Sequence, residues 1–222
     1  MKTKDKILSK ALELFNEKGY NNITTRHIAA ELNISAGNLH YHFKHSEDII
    51  KILFSELVLK MDNLLNNLQK IEHKTLEDLY HFTFSTYEVF YSFRFIFMNF
   101  FDILKHIPAI ESQYESINIS RKDEFQEIFK GFQKDGIFIE DIPDFILRGL
   151  TTQIFIIADN WIIHNSLAFK FEKDEAVRHY ALIQMNLFYP LLTREQQKLY
   201  ETKYIHNKKS FHAGTTSGLP SA

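Results

Sequence analysis

Two helical segments of about two turns each, Thr25 to Leu32 and Ala36 to about Phe43, are separated only by the tight turn Asn33-Ile34 and a capping residue, Ser35. Helices shorter than about 12 residues are marginal in water. Neither segment persists unless both are buried against a third. The preceding stretch supplies it. From Thr3 to Lys18, Ile7, Leu8, Ala11, Leu12, Leu14 and Phe15 recur at helical spacing. Gly19 follows at the position where a left-handed residue ends a helix, and Thr24 is placed to cap the second segment. Ile28, Leu32, Ile34, Leu39 and Phe43 then form a shared core. The pattern predicts a three-helix head over residues 1–46 containing a helix-turn-helix.

The remaining chain also reads as helical, and the fold class expected is all-α. With 7 Gly and 4 Pro in 222 residues, breakers are too few for a many-turned β architecture. Ser46 is placed to cap a long helix to about Gln69, carried by Ile49, Ile50, Ile52, Leu53, Leu57, Met61, Leu64, Leu65 and Leu68. That helix joins the head to a helical body over residues 47–206. Thr75-Leu-Glu-Asp resembles a capping box and opens a helix to about Phe93. A short helix over about Phe95–His106 follows. Another, broken or continuous, runs from Pro108 to about Lys134, with a turn at Asp135-Gly136. Pro143 begins a strongly apolar helix to His164. Asp174 begins one that Pro190 stops near Phe188, and Arg194–Ile205 makes the last. Residues 207–222 lose periodicity and gain Gly, Ser and Thr, the composition of a disordered tail.

Composition narrows the function classes. There is no cysteine, hence no disulfide framework or thiolate site. No window reaches the apolar length of a membrane span, and the first residues carry charges where a signal peptide is apolar. A cytoplasmic protein is the expectation. Residues 1–46 hold seven basic and four acidic side chains, net +3, and the rest has 19 against 24, net −5. A mildly basic head on an acidic body supports nucleic-acid contact only weakly.

If Ile34, Leu39 and Phe43 face inward, Ser35, Ala36, Asn38, His40, Tyr41 and His42 face outward. That face is small and polar at its start, which allows close approach to a groove. Gly37, which costs a short helix about 1 kcal/mol against alanine, has the same use. Asparagine pairs with adenine edges, and histidine and tyrosine suit phosphate. The same residues read equally well as an ordinary polar surface.

The run from Thr24 to Ile50, TTRHIAAELNISAGNLHYHFKHSEDII, resembles the DNA-binding signature of the TetR (tetracycline-repressor) family. The likeness rests on Thr24-Thr25-Arg26, Ile28-Ala29, Ile34-Ser35, Gly37-Asn38-Leu39, Tyr41-His42-Phe43-Lys44 and Glu47, and covers about residues 5–55. It implies a homodimeric transcriptional repressor of a palindromic operator in double-stranded DNA, with the third helix of each subunit in the major groove. Carried over by position, Thr25 and Arg26 would contact phosphate or base. Ser35, Ala36, Gly37, Asn38 and His40 would face bases, and Tyr41, His42 and Lys44 would clamp the backbone. Ala36 and Ser46 stand where relatives often carry lysine, which implies weaker, less salt-dependent binding.

Beyond the head, the signals are broader. Aromatics crowd His81 to Phe101 on more than one helical face, as either core or the lining of an effector pocket. Phe84, Tyr87, Tyr91, Phe101, Trp161 and His164 are the candidate contacts for a small apolar or aromatic effector. The helices at about 143–165 and 174–189 are apolar over more than one face, which suits a four-helix homodimer interface or, alternatively, one buried central helix. His40 and His42 stand two apart on a helix and point to different faces, so no metal is expected there. No Gly-rich phosphate loop, HExxH or nucleophile elbow occurs. No cofactor is expected, nor enzymatic activity. A helical enzyme or ligand carrier, or a regulator that activates without an effector, are the competing readings.

Overall fold

The computed structural model describes residues 2–206; the expected tail at 207–222 lies outside them. The head forms where the periodicity places it. α1 spans Thr3–Lys18 and ends as Gly19 turns to φ +77°, its N–H donating to Phe15 O at 3.0 Å. α2 (Thr25–Glu31) starts where the Thr24 hydroxyl accepts from the His27 N–H. α3 (Ala36–His42) starts where Ser35 Oγ accepts from the Asn38 N–H at 3.1 Å. Between them Asn33 takes φ +53°, a conformation that asparagine tolerates better than most residues. Ile7, Ala11, Leu14, Phe15, Ile28, Leu39 and Phe43 are fully buried together, with Leu32 and Ile34 packed at the edge.

α4 runs over Ser46–Lys70, about 37 Å at 1.5 Å per residue. Its cap is not the expected Ser46. The cap residue is His45, whose N–H donates to the Asp48 carboxylate at 3.3 Å. An acid in the third helical position satisfies that N–H and favours the positive end of the helix. The first turns of α4 bury Ile49, Ile50 and Leu53 with the head, and its later turns pack on the body helices α5 (Leu76–Ser92) and α8 (Pro108–Lys134).

Thr75 caps α5 as a capping box with Asp78. The single short helix expected over Phe95–His106 is instead two, α6 (Arg94–Met98) and α7 (Phe100–His106). The break is at Asn99, where φ is −129° and the side-chain amide donates back to Phe95 O at 2.9 Å; a short amide competes with the helical ladder there. α8 is continuous through 27 residues, with proline at its first position. After Gly136 (φ +71°), Phe138 bridges to Leu192, and the Ile139 N–H donates to Leu191 O, pinning this loop to the segment that follows α10. α9 (Asp144–Ala168) and α10 (Lys173–Phe188) are the two apolar helices expected, and α11 (Arg194–Tyr200) continues into a wider turn over Glu201–Ile205. No helix is long and apolar enough to cross a membrane among the described residues.

One apolar cluster runs unbroken from α1 through α4, α6 and α9 to α10. The head is therefore fastened to the body at a second place besides α4. The Phe15 ring lies 5.2 Å from Phe95. Asn16 clamps the α5–α6 junction, its amide donating to Ser92 O at 2.8 Å and its oxygen accepting from the Phe95 N–H at 3.0 Å. The Tyr20 hydroxyl donates to the Asp102 carboxylate on α7. Asn16→Ala leaves two backbone groups without these partners and is expected to cost about 1–2 kcal/mol, lowering Tm by about 4 °C; thermal unfolding of the full chain measures it.

Candidate nucleic-acid interface and internal cavity

Leu39 and Phe43 hold α3 against the head core, so its opposite face stands in solvent. Ser35, Ala36, Gly37, Asn38, His40, Tyr41 and Lys44 are exposed, and His42 is half-buried. From α2, which packs against α3, Arg26 is exposed and Thr25 half-buried. Tyr41 is 86% exposed, and its ring touches only His42, edge-on at 5.2 Å. A Cβ on Gly37 would meet nothing nearer than Ser35 Oγ at 4.0 Å, so internal packing does not require glycine there. Of the ten residues proposed from the sequence, eight are exposed and Thr25 and His42 are half-buried. Among the described residues no ion pair holds Arg26 or Lys44, which leaves both charges available to phosphate.

The body encloses a cavity of about 120 Å³. α4 contributes Phe54, Leu57, Val58, Met61 and Leu65 to its wall. α5 contributes Tyr87 and Phe90, α6 and α7 Phe97 and Phe100, α8 Tyr114, Ile117, Arg121 and Phe125, α9 Phe155, Ala158 and Asp159, and α10 Gln184 and Phe188. Of the six effector contacts expected from the sequence, only Tyr87 lines this cavity. Phe84 stacks on Tyr80, and Tyr91 packs beside Trp161 and under Arg94. Phe101 is 74% exposed beneath Lys105, because the break at Asn99 turns it outward. Trp161 is buried behind Tyr87, 5.1 Å ring to ring, and His164 is engaged by the Tyr180 hydroxyl at 2.6 Å. Asn165, which needed a partner as a polar group on an apolar helix, has two: it accepts from the Phe171 N–H and donates to Phe171 O.

Apart from Tyr87, the polar groups on the wall escaped the sequence reading. Tyr87 donates to Gln184 Oε1 at 3.2 Å. Arg121 is held between the carboxylates of Asp62 on α4 and Glu124 on its own helix. Tyr114 donates to Asp159, whose carboxyl burial pushes up to about 6. A lone acid on an apolar helix, within Ile157-Ala-Asp-Asn-Trp161, was the available signal.

A second exposed surface lies on α9. Phe145, Ile156 and Leu167 are 66, 59 and 76% exposed and stand eleven residues apart. Eleven residues are about three turns, so the three form one apolar stripe along the helix.

Comparison with known proteins places these features. Residues 7–51 match the model described as bacterial regulatory proteins, tetR family, and residues 58–200 match the TetR model described as bacterial transcriptional repressor. The chain is similar to the biofilm operon icaADBC HTH-type negative transcriptional regulator IcaR of Staphylococcus epidermidis, 28% identical over 174 residues, covering 76% of this chain and 86% of that protein. The IcaR of Staphylococcus aureus strain Newman is likewise 28% identical, over 179 residues, with 76% and 87% covered. A solved TetR-family transcriptional regulator from Marinobacter aquaeolei VT8 is 32% identical with a TM-score of 0.80, covering 92% of this chain and 99% of that one.

Proposed function

This chain belongs to the TetR family and is a DNA-binding transcriptional repressor, and from that premise we propose that it grips a palindromic operator as a homodimer and is released when a small molecule fills the body cavity. The observation that carries the DNA reading is the outward face of α3, centred on the solvent-exposed Tyr41. Ser35, Ala36, Gly37, Asn38 and His40 read base edges in the major groove. Tyr41, His42 and Lys44 fix the backbone, with Thr25 and Arg26 supporting from α2. The dimer forms through α9 and α10, and the stripe of Phe145, Ile156 and Leu167 is the surface a second copy covers. The protein works in the cytoplasm, where its operator lies.

Release is a shift between two populations. A dimeric reader needs its recognition helices about 34–36 Å apart, one turn of DNA. α4 belongs to the head core at one end and to the cavity wall at the other. A ligand that fits the cavity better with α4 displaced favours heads out of register with the groove.

The test is a gel shift with DNA flanking the chain's own gene. A sequence-specific complex is expected. Arg26 and Lys44 from two subunits supply four cations, so log affinity should fall against log salt with a slope of about −4. Absence of a specific, salt-sensitive shift removes the DNA assignment to this face.

A further inference from the structure

Asp159 is the acidic side chain on the cavity wall, and the fold gives it no positive partner. Its one contact is the Tyr114 hydroxyl. Among the described residues the one cation on the wall, Arg121, is already held by two carboxylates, Asp62 and Glu124; that triad is itself net negative and leaves nothing to neutralise Asp159. A carboxylate taken out of water without a counter-charge is costly. Here it faces phenyl and phenol rings, among them Tyr87, Phe90, Phe97 and Phe155. Aromatic faces carry negative potential and attract cations. They do nothing for an anion.

We propose that the cavity takes a small lipophilic cation, an alkyl- or arylammonium, with its charge against Asp159 and its apolar body among the aromatic rings. This rests on reading the cavity as the effector site, and it adds a positive charge to the small apolar or aromatic effector that the aromatic density suggested. The cavity volume of about 120 Å³ fits a single ring with a short substituent; an apolar cavity of comparable size accepts benzene. An ammonium replaces the missing counter-charge, and the Asp159 oxygen that Tyr114 does not engage can accept its proton. The polar groups that share the cavity wall with Asp159 include its partner Tyr114 and Arg121 from α8, Tyr87 from α5 and the uncharged Gln184 from α10, with Asp62 of α4 paired to Arg121. The two tyrosine hydroxyls titrate far above neutrality, held up by burial, so Asp159 is the group that changes charge near pH 6.

The probes are benzylammonium, charged between pH 5 and pH 8, and benzyl alcohol, its neutral counterpart of similar shape. Trp161, the sole tryptophan, packs on Tyr87 of the wall and reports binding by fluorescence. At pH 8 benzylammonium should bind wild-type protein at least tenfold more tightly than benzyl alcohol. At pH 5 Asp159 is protonated and that preference should fall about tenfold. In Asp159→Asn the preference should vanish at both pH values, while benzyl alcohol binds as before and Tm at pH 8 is unchanged or higher, since an uncompensated charge is gone. Equal affinities for the two probes in the wild type, or a preference that survives in Asp159→Asn, overturns the cation assignment and leaves the cavity as a site for neutral ligands. Failure of both probes to bind wild type overturns the assignment together with the effector-site reading.

Discussion

Tyr41→Ala should lower operator affinity by about 100-fold and leave the folded protein intact. The ring is almost wholly in water and contributes nothing to the head core, so the change in stability should stay within about 0.5 kcal/mol. In the proposed complex each Tyr41 would donate one hydrogen bond to a charged phosphate, worth about 1–2 kcal/mol. A dimer loses two such contacts, and every 1.4 kcal/mol is tenfold. Since tyrosine is uncharged, the salt slope should not move, which separates this variant from loss of Lys44. A gel shift over a salt series, with circular dichroism and sedimentation as controls, gives the answer. An affinity within about threefold of wild type would take Tyr41 out of the interface.

Ile156→Asp should dissociate the dimer. Ile156 stands at the middle of the exposed stripe on α9, between Phe145 and Leu167. In a twofold interface every substitution occurs twice, on surfaces that meet. Two carboxylates would then be buried without partners, at about 3–5 kcal/mol each, a loss of more than 1000-fold in dimer affinity. Because the side chain is solvent-exposed in the subunit, helix content should be unchanged. Operator affinity should collapse with the dimer, for a lone head reads only half a palindrome. Sedimentation at micromolar concentration reads the state directly, and a persistent dimer would move the interface elsewhere.

Much of the fold is legible in the sequence because its signals are local. Gly19 ends α1, Thr24 and Ser35 start α2 and α3, and Thr75 with Asp78 starts α5. Where two local signals competed, reading was less secure. Ser46 is a better cap by type than His45, yet the position of Asp48 decides. Nothing in the run Phe95–His106 announces a break, because asparagine interrupts a helix only when its amide finds the carbonyl four residues back. The cavity is a different matter. Its wall is assembled from seven helices, and which aromatic of a crowded run faces inward depends on how those helices rotate against one another. Tyr87 and Phe101 are equivalent by composition and opposite in the fold, one on the wall and the other in solvent. Asp159 was legible in principle as an isolated charge on an apolar helix.

The Asn16 clamp bears on how such a protein can move. A body hung from one point swings in any direction; hung from two, it turns only about the line joining them. The head is held by α4 and by the α5–α7 edge, where Asn16, the Phe15–Phe95 ring contact and the Tyr20–Asp102 hydrogen bond make the second attachment, and α4, α5, α6 and α7 all contribute to the cavity wall. Rotation about the line joining these two attachments is therefore the motion they restrain least. Ligands of different size would differ in how far the head turns and not in which direction. Asn16→Ala would loosen the second attachment and leave Phe15–Phe95 and Tyr20–Asp102 in place, so the response to ligand should lose sharpness even where affinity for it is kept.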